Sequence, residues 1–196
     1  KLELDAAIFS KSEGGDVFLS PAEIYQSREI KGIETRVQWN LHRYFQITGS
    51  YSLLDVQNRT PDGTTYAGRN DMAYFSRLFL TYNKPKLANL SLAYIFRQGL
   101  LYSPAIGGQL DADLGVYEPF FEDQFNTHRF KNYHNLSFSM SKEIPQKDNF
   151  LLFFATINNL LNLKNQQTPL YFANYSGYNF DYYQLRSFYC GLVWKI

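Results

Sequence analysis

The residues best suited to metal or acid–base chemistry are three scattered histidines, His42, His128 and His134. The step from His128 to His134 does not match the ligand spacing of common zinc sites. We therefore predict hydrogen-bonding roles for the histidines, with no metal site and no catalytic residue among them.

Two acidic residues and one cysteine complete the set of candidate chemical groups. Asp111 and Asp113 could contribute to a calcium site, but the rest of an EF-hand loop is missing, which favours a solvated acidic loop. Cys190 is the only cysteine, which excludes an intrachain disulfide and a cysteine metal cage. No glycine-rich phosphate loop follows a strand, and no Ser/His/Asp order is recognisable. The sequence predicts neither an enzyme nor a cofactor.

The composition favours β structure and is neutral in charge. The 19 Lys and Arg balance 18 Asp and Glu, so nucleic acid is not indicated as a partner. The 16 Tyr and 17 Phe suit pleated, half-buried surfaces. No apolar run approaches the roughly 18 residues of a transmembrane helix, whereas a strand crosses a membrane with about 9–11 residues of alternating polarity.

Eight segments alternate between apolar and polar residues with a period of two, which is typical of strands with one apolar face. They lie at about residues 2–8, 33–39, 45–53, 74–82, 90–97, 135–141, 150–160 and 187–196. Segment 150–160 fits least well, because it is apolar on both faces for most of its length.

The connections between these segments alternate strictly between short and long. Tight turns are predicted around 41–43, 83–86 and 145–148, and long loops at 11–28, 57–71, 99–131 and 162–181. Outer-membrane barrels have short periplasmic turns and long extracellular loops. We therefore predict an all-β fold of about eight antiparallel transmembrane barrel strands, located in the bacterial outer membrane.

The alternation alone leaves open which face points inward, because a soluble lipocalin-like barrel would hold its apolar face inside. The apolar faces contain no charged residue, and charge facing lipid costs about 2–4 kcal/mol for Arg or Lys. Aromatic residues near the segment ends fit interfacial girdles. We therefore expect the apolar face, with Cys190, to meet lipid. The polar face is predicted to face the lumen with Glu34, Arg36, Arg77 and Arg97, and His134 is assigned to it as well.

Four local patterns resemble the C-terminal region of TonB-dependent outer-membrane receptors of Bacteroidetes-type bacteria. The first is Lys31-Gly32-Ile33-Glu34 followed by Gly49-Ser50-Tyr51-Ser52, and the second is Arg97-Gln98-Gly99-Leu100-Leu101-Tyr102 before a large loop. The third, Ile157-Asn158-Asn159-Leu160-Leu161-Asn162, is similar to a short motif at the family's penultimate barrel strand. The fourth resembles the family's terminal assembly signal, with Phe188, Leu192, Trp194 and Ile196, although an aromatic residue is usual in place of Ile196.

The resemblance implies that residues 1–196 are a single segment of a larger receptor barrel. Such receptors have 22 strands around a plugged lumen, and this chain has room for about eight strands and no plug. The expected partners are membrane lipid, the remaining barrel and plug, TonB through an N-terminal part that this chain lacks, and a surface lipoprotein. The implied function is import of a scarce nutrient, such as an iron chelate, cobalamin or a glycan.

Two other classes stay open at this point. One is a complete eight-stranded outer-membrane barrel with a structural or adhesion role, and the other is a soluble ligand-binding barrel. The strand number of the whole assembly separates the first from a receptor, and purification without detergent would identify the second.

Any ligand should meet the long loops, because loops carry function on rigid scaffolds. The candidate ligand-binding residues are aromatic: Tyr102, Tyr117, Phe120 and Phe121 in loop 99–131, and Tyr171 and Tyr175 in loop 162–181. Their rings could stack on sugars, aromatic chelators or a partner protein. The alternative is that these rings pack on each other and order the loops.

Overall fold

The computed structural model describes residues 1–20, 23–85, 87–145 and 149–195. In that part of the chain, no helix is long and apolar enough to cross a membrane. The regular elements are strands: β1 (Leu2–Ser20), β2 (Glu23–His42), β3 (Phe45–Arg59), β4 (Thr65–Ala67), β5 (Met72–Lys84), β6 (Ala88–Arg97), β7 (Leu101–Tyr102), β8 (Ala105–Asp111), β9 (Val116–Phe121), β10 (His128–Arg129), β11 (Tyr133–Pro145), β12 (Phe150–Asn158), β13 (Gln166–Tyr171), β14 (Tyr178–Tyr182) and β15 (Ser187–Lys195).

Eight of these strands form one antiparallel meander in the order β1-β2-β3-β5-β6-β11-β12-β15, with β4 paired to β3. They correspond one to one with the eight segments of alternating polarity. The predicted all-β fold with about eight antiparallel strands is therefore confirmed. Strands β1 and β15 lie at opposite ends of the sheet, with no pairing between them among the described residues.

The predicted long loop at 11–28 was wrong, because most of it is strand. Strands β1 and β2 pair from Leu2↔Trp39 to Ser20↔Glu23, with an irregularity between Gly14 and Phe18. The ribbon continues about 12 residues beyond Ile8, or roughly 40 Å at the usual rise per residue. Alternation fades there, although the backbone pairing of the ribbon continues. Residues 21–22 lie outside the described part of the chain.

The other three predicted long connections are present, but each contains strands. Segment 57–71 includes β4, segment 99–131 includes β7 to β10, and segment 162–181 includes β13 and most of β14. The short turns lie at Arg43–Tyr44 and between Lys84 and Ala88. Residues 146–148 of the third short turn are outside the described residues, although Pro145 pairs with Phe150 across it.

The strand register shows which residues share a face of the sheet, because directly paired residues of antiparallel strands point to the same side. Leu92 pairs with Leu80 and Phe138, whereas Ser91 pairs with Thr81 and Ser139. The apolar face is largely uncovered, and the buried side chains lie toward the long loops. They include Val56, Leu101, Tyr102, Ala105 and Phe130.

Two features of the faces were not anticipated. His134 was predicted on the polar face, which was wrong, because it pairs with Phe96 and points to the apolar side. There its Nδ1 lies 2.8 Å from the hydroxyl of Tyr94. On the polar side of segment 150–160, Phe154 pairs with Gly191 of β15, and its ring lies over that glycine. A Cβ on Gly191 would come within 2.4 Å of that ring.

Candidate functional site

The two longest loops fold together into a compact layer at one end of the sheet, here called the loop canopy (residues 99–131 and 162–183). Its centre is an aromatic cluster in which Tyr102 stacks on Phe130, with ring centroids 4.2 Å apart and planes inclined by 16°. Phe180 from the second loop meets Phe130 edge-on at 5.8 Å. Tyr102 is 7% exposed and Phe130 is 5% exposed. This cluster holds the two loops together.

Three of the predicted ligand-binding tyrosines belong to this packing. The hydroxyl of Tyr102 lies 3.3 Å from that of Tyr178, and the hydroxyl of Tyr171 accepts a 2.9 Å hydrogen bond from the Ala105 amide. The Tyr171 ring also contacts the rings of Tyr175 and Tyr178, each at 5.4 Å. Burial, aided by the hydrogen bond to Tyr178, raises the pKa of Tyr102. Burial also raises the pKa of Tyr171, so both phenols are neutral at physiological pH.

The first loop is fixed to the sheet at its base by a glycine and an ion pair. The Arg129 guanidinium donates to the carbonyls of Asp71 (2.7 Å) and Gly99 (2.8 Å) and bridges the Asp71 carboxylate at 3.2 Å. Gly99 lies so close to the next segment that a Cβ there would sit 1.8 Å from the Phe130 carbonyl oxygen. The glycine of the Arg97–Tyr102 pattern is therefore required for space.

The second loop is fixed by two asparagines in left-handed backbone conformations, Asn159 (φ 48°) and Asn162 (φ 53°). The Asn159 side chain donates to the carbonyls of Leu163 (2.9 Å) and Gln184 (3.2 Å) and accepts from the Leu163 amide (3.0 Å). The Asn162 side chain accepts from the Arg186 amide at 3.0 Å. These bonds join the two ends of the loop. They give the asparagines of the Ile157–Asn162 pattern a structural role.

We predict that Asn159→Ala destabilises the chain by about 2 kcal/mol, because three side-chain hydrogen bonds are lost at a site that is 3% exposed. Urea titration of the protein folded in lipid vesicles measures this loss. Asn174→Ala is the matched control, since Asn174 bonds only within its own exposed turn, to Ser176. Equal midpoints for the two variants would contradict the role assigned to Asn159.

The outer surface of the canopy presents the other candidate residues. Tyr117 is 40% exposed and Phe120 is 48% exposed, while Phe121 is half-buried. A cleft of about 650 Å³ separates the β8–β9 hairpin from the β13–β14 hairpin, and Tyr117, Phe172 and Tyr175 line it. Phe172, which is 52% exposed, was not among the residues selected for ligand binding. The cleft is open to solvent.

The four charged residues predicted to face the lumen are arranged in two places. Glu34, Arg36 and Arg77 line one trough of about 580 Å³ on the polar face. Arg97 lies apart from them, near the loops, where its guanidinium sits 4.7 Å from the centre of the Tyr133 ring and 3.4 Å from the Tyr183 hydroxyl. Their position relative to a barrel lumen stays a prediction.

The residues of the predicted assembly signal lie on β15 at one end of the sheet. Phe188, Leu192 and Trp194 are exposed on its apolar face, as is Cys190. Ile196 lies outside the described residues. Their role in assembly stays a prediction.

Sequence reasoning missed the residues that fix the canopy. Asn165 is buried, and its side chain accepts from the His134 amide (3.0 Å) and donates to the His134 carbonyl (2.7 Å). Asp71 and Arg129 were also overlooked. The repeated asparagines after β12 were the available signal, because asparagine tolerates left-handed conformations better than most residues.

The described residues hold no group of three or more His, Cys, Asp or Glu that could bind a metal ion. Asp111 instead closes the β8–β9 turn, where its carboxylate accepts from the amides of Asp113 (2.9 Å) and Leu114 (3.1 Å). The arrangement suits noncovalent binding by exposed rings above a polar-faced sheet.

No protein-family model and no curated protein matches the chain. Among solved structures, the chain is similar to the ferric-catecholate import receptor Fiu of Escherichia coli K12 in its closed form, with a TM-score of 0.58 and 18% sequence identity. The match covers 98% of this chain and 24% of that receptor, so the chain spans about a quarter of its length. The likeness shows the fold: an antiparallel sheet like one section of a receptor barrel.

Proposed function

We propose that this chain forms part of the wall and several extracellular loops of an outer-membrane receptor that imports a scarce nutrient with energy delivered by TonB. The observation that carries the proposal is the combination of an eight-stranded sheet, apolar on one face, with a packed loop canopy at one end. The similarity to an import receptor over nearly the whole chain supports the same proposal.

In this proposal the apolar face contacts outer-membrane lipid, and the polar face borders the lumen with Glu34, Arg36, Arg77 and Arg97. The remaining barrel, the plug and a TonB-contacting segment are supplied outside these residues. Ligand meets the exposed rings of the canopy, above all Tyr117 and Phe120. A surface lipoprotein could dock on the same loops. The nutrient is an iron chelate, cobalamin or a glycan.

The sheet edges favour a large barrel over a complete barrel of eight strands with a structural or adhesion role. Such a small barrel requires the first and last strands to pair, because closure removes both edges. Here β1 and β15 remain at opposite ends of the sheet. Other strands are therefore needed to cover both edges.

Uptake by cells carrying the full-length protein tests the proposal. Radiolabelled ferric chelates, cobalamin and oligosaccharides are offered to cells with the gene, without it, and with the gene but without TonB. We expect uptake of one of these only when both the gene and TonB are present. Equal uptake in all three strains would overturn the proposal.

A further inference from the structure

One row of directly paired residues crosses the whole sheet on its apolar face. Because directly paired residues of antiparallel strands point to the same side, the pairings place one apolar residue of each of the eight long strands in this row. The row consists of Leu2, Trp39, Ile47, Leu80, Leu92, Phe138, Ile157 and Phe188. We call it the common row, with the long loops above it and the short turns below it.

The short turns lie progressively farther below the common row from one side of the sheet to the other. Phe45, the last paired residue of β3 before its turn, lies two residues below the row. Lys84 on β5 lies four residues below it, and Pro145 on β11 lies seven residues below it. The lower end of the apolar face is therefore inclined to the common row.

The upper end of the apolar face is inclined in the same direction. Lys31 on β2 and Asp55 on β3 are the first charged, imidazole or amide residues above the row on that face, and both lie eight residues above it. His134 on β11 lies four residues above the row. Asn159, which follows β12, lies only two residues above Ile157. The apolar face thus descends as a band from β2 toward β12.

The two ends of this band have nearly the same slope. Each descends by about five or six residues over four or five strand spacings, which corresponds to an inclination of about 40° at ~3.3 Å per residue and ~4.8 Å between strands. Strands of transmembrane barrels tilt by roughly 35–45°. Between its ends the band spans about nine residues of β3 and ten of β11, close to the roughly 9–11 residues with which a tilted strand crosses a bilayer.

We propose that the two surfaces of the bilayer follow these inclined ends, at about 40° to the common row. Trp39 then lies at the short-turn surface of the hydrocarbon layer, Leu92 lies at its centre, and Phe188 lies at the long-loop surface. The inference rests on the proposed function, which places lipid against the apolar face, and it adds the level at which each strand enters and leaves that lipid.

The distribution of charge favours a bilayer over a protein partner on this face. Lys84 and Lys142 both lie four residues below the common row, near the lower end of the band, where their long side chains can extend to the headgroups. The other charged residues that the described strands carry on this face lie above the band: Glu29, Lys31, Asp55 and Arg59. Contact with a protein would not require charge to avoid a band of constant width.

Nitroxide labels on three residues of the common row test this placement. Trp39→Cys, Leu92→Cys and Phe188→Cys are made one at a time in the full-length protein, with all other cysteines replaced by alanine, and folded into dioleoylphosphatidylcholine vesicles. Trp39 and Phe188 are each three strands from Leu92 and are 45% and 71% exposed. Accessibility to oxygen and to a water-soluble nickel chelate measures the depth of each label. We expect the two outer labels to lie about 9 Å nearer to water than the label at Leu92.

Two further labels show that the outer positions approach opposite surfaces. Val37 lies two residues above Trp39 on β2, and the natural Cys190 lies two residues below Phe188 on β15. Labels at Val37→Cys and at Cys190 should each lie about 5 Å deeper than the neighbouring label, because both steps lead toward the centre of the band. Where Trp39→Cys or Phe188→Cys does not insert, Ile47→Cys and Ile157→Cys replace them, one strand closer to Leu92, with an expected difference of about 6 Å.

Equal depths at the three positions of the common row, or a label at Leu92 that is the shallowest, would overturn the inclined placement. Such a result, with every label still in hydrocarbon, would leave lipid contact by the apolar face intact. A label at Leu92 that reports water would overturn both. The TonB-dependent uptake experiment does not depend on these depths, so the receptor proposal is tested separately.

Discussion

Gly99→Ala should detach the loop canopy from the sheet, at a cost of about 3 kcal/mol. The new Cβ would lie 1.8 Å from the Phe130 oxygen, 2.4 Å from the Phe130 carbonyl carbon and 2.8 Å from the Lys131 oxygen. All three are backbone atoms, so relief requires the chain around Phe130 to move. That movement breaks the 3.0 Å bond from the Phe130 amide to Leu100 and separates the stacked rings of Phe130 and Tyr102.

Trypsin cleavage at Arg129 and Lys131 measures the detachment in protein folded into lipid vesicles. Cleavage should be fast in the variant and slow in the parent, because a fixed loop resists proteolysis. Gly49→Ala is the matched control, since a Cβ at Gly49 would meet nothing closer than 3.9 Å. Cleavage of Gly99→Ala at the parent rate would show that the canopy base tolerates a side chain and would contradict the prediction.

The strands of the sheet could be predicted because one local rule governs them. Apart from β12, which is apolar on both faces for most of its length, each has one face that is apolar and one that is not, so alternation identifies it without knowledge of its partner. Ser50 and Tyr51, for example, are neighbours on β3, and the register pairs Ser50 with Arg77 on one face and Tyr51 with Ser76 on the other. The same rule would have placed His134 correctly, because it stands two residues before Leu136 and shares its face.

The canopy could not be predicted because its contacts join residues far apart in the chain. Asn165 bonds to both backbone groups of His134, and Tyr102 contacts Tyr178. The strands in these loops are two to seven residues long, and β7 is buried, so alternation does not identify them. The outer β1–β2 ribbon escaped prediction because it is held by backbone pairing and its sequence lacks a regular apolar face.

The candidate site was only partly predictable, because it too depends on contacts between residues far apart in the chain. Aromatic content pointed to the two loops that form the canopy, but it could not tell an exposed ring from a buried one. Tyr102 and Tyr117 are both tyrosines of one loop, yet the first is buried against Phe130 and the second borders the open cleft. Which ring can meet a ligand depends on how two distant loops pack together.

Leu92→Arg should prevent stable insertion of the sheet in a bilayer, with a loss of about 2–4 kcal/mol. Leu92 lies in the middle of the apolar face, between Leu80 of β5 and Phe138 of β11. If this face meets acyl chains, as proposed, an arginine there loses its hydration and finds no counter-charge among these neighbours. Folding of the full-length protein into vesicles of defined thickness, followed by urea titration, measures the loss.

Ser91→Arg is the matched control, one residue away on the opposite face. Ser91 pairs with Thr81 and Ser139 and lines a polar trough of about 680 Å³, so an arginine there keeps water and hydroxyl partners. This variant should fold within about 1 kcal/mol of the parent, since the new side chain extends into an open trough and leaves no charge buried. The difference between the two variants depends only on which face meets hydrocarbon. A greater loss for Ser91→Arg would mean that the hydroxyl-bearing face is the one enclosed away from water, which would reverse the orientation of the sheet and remove the basis for an uptake function.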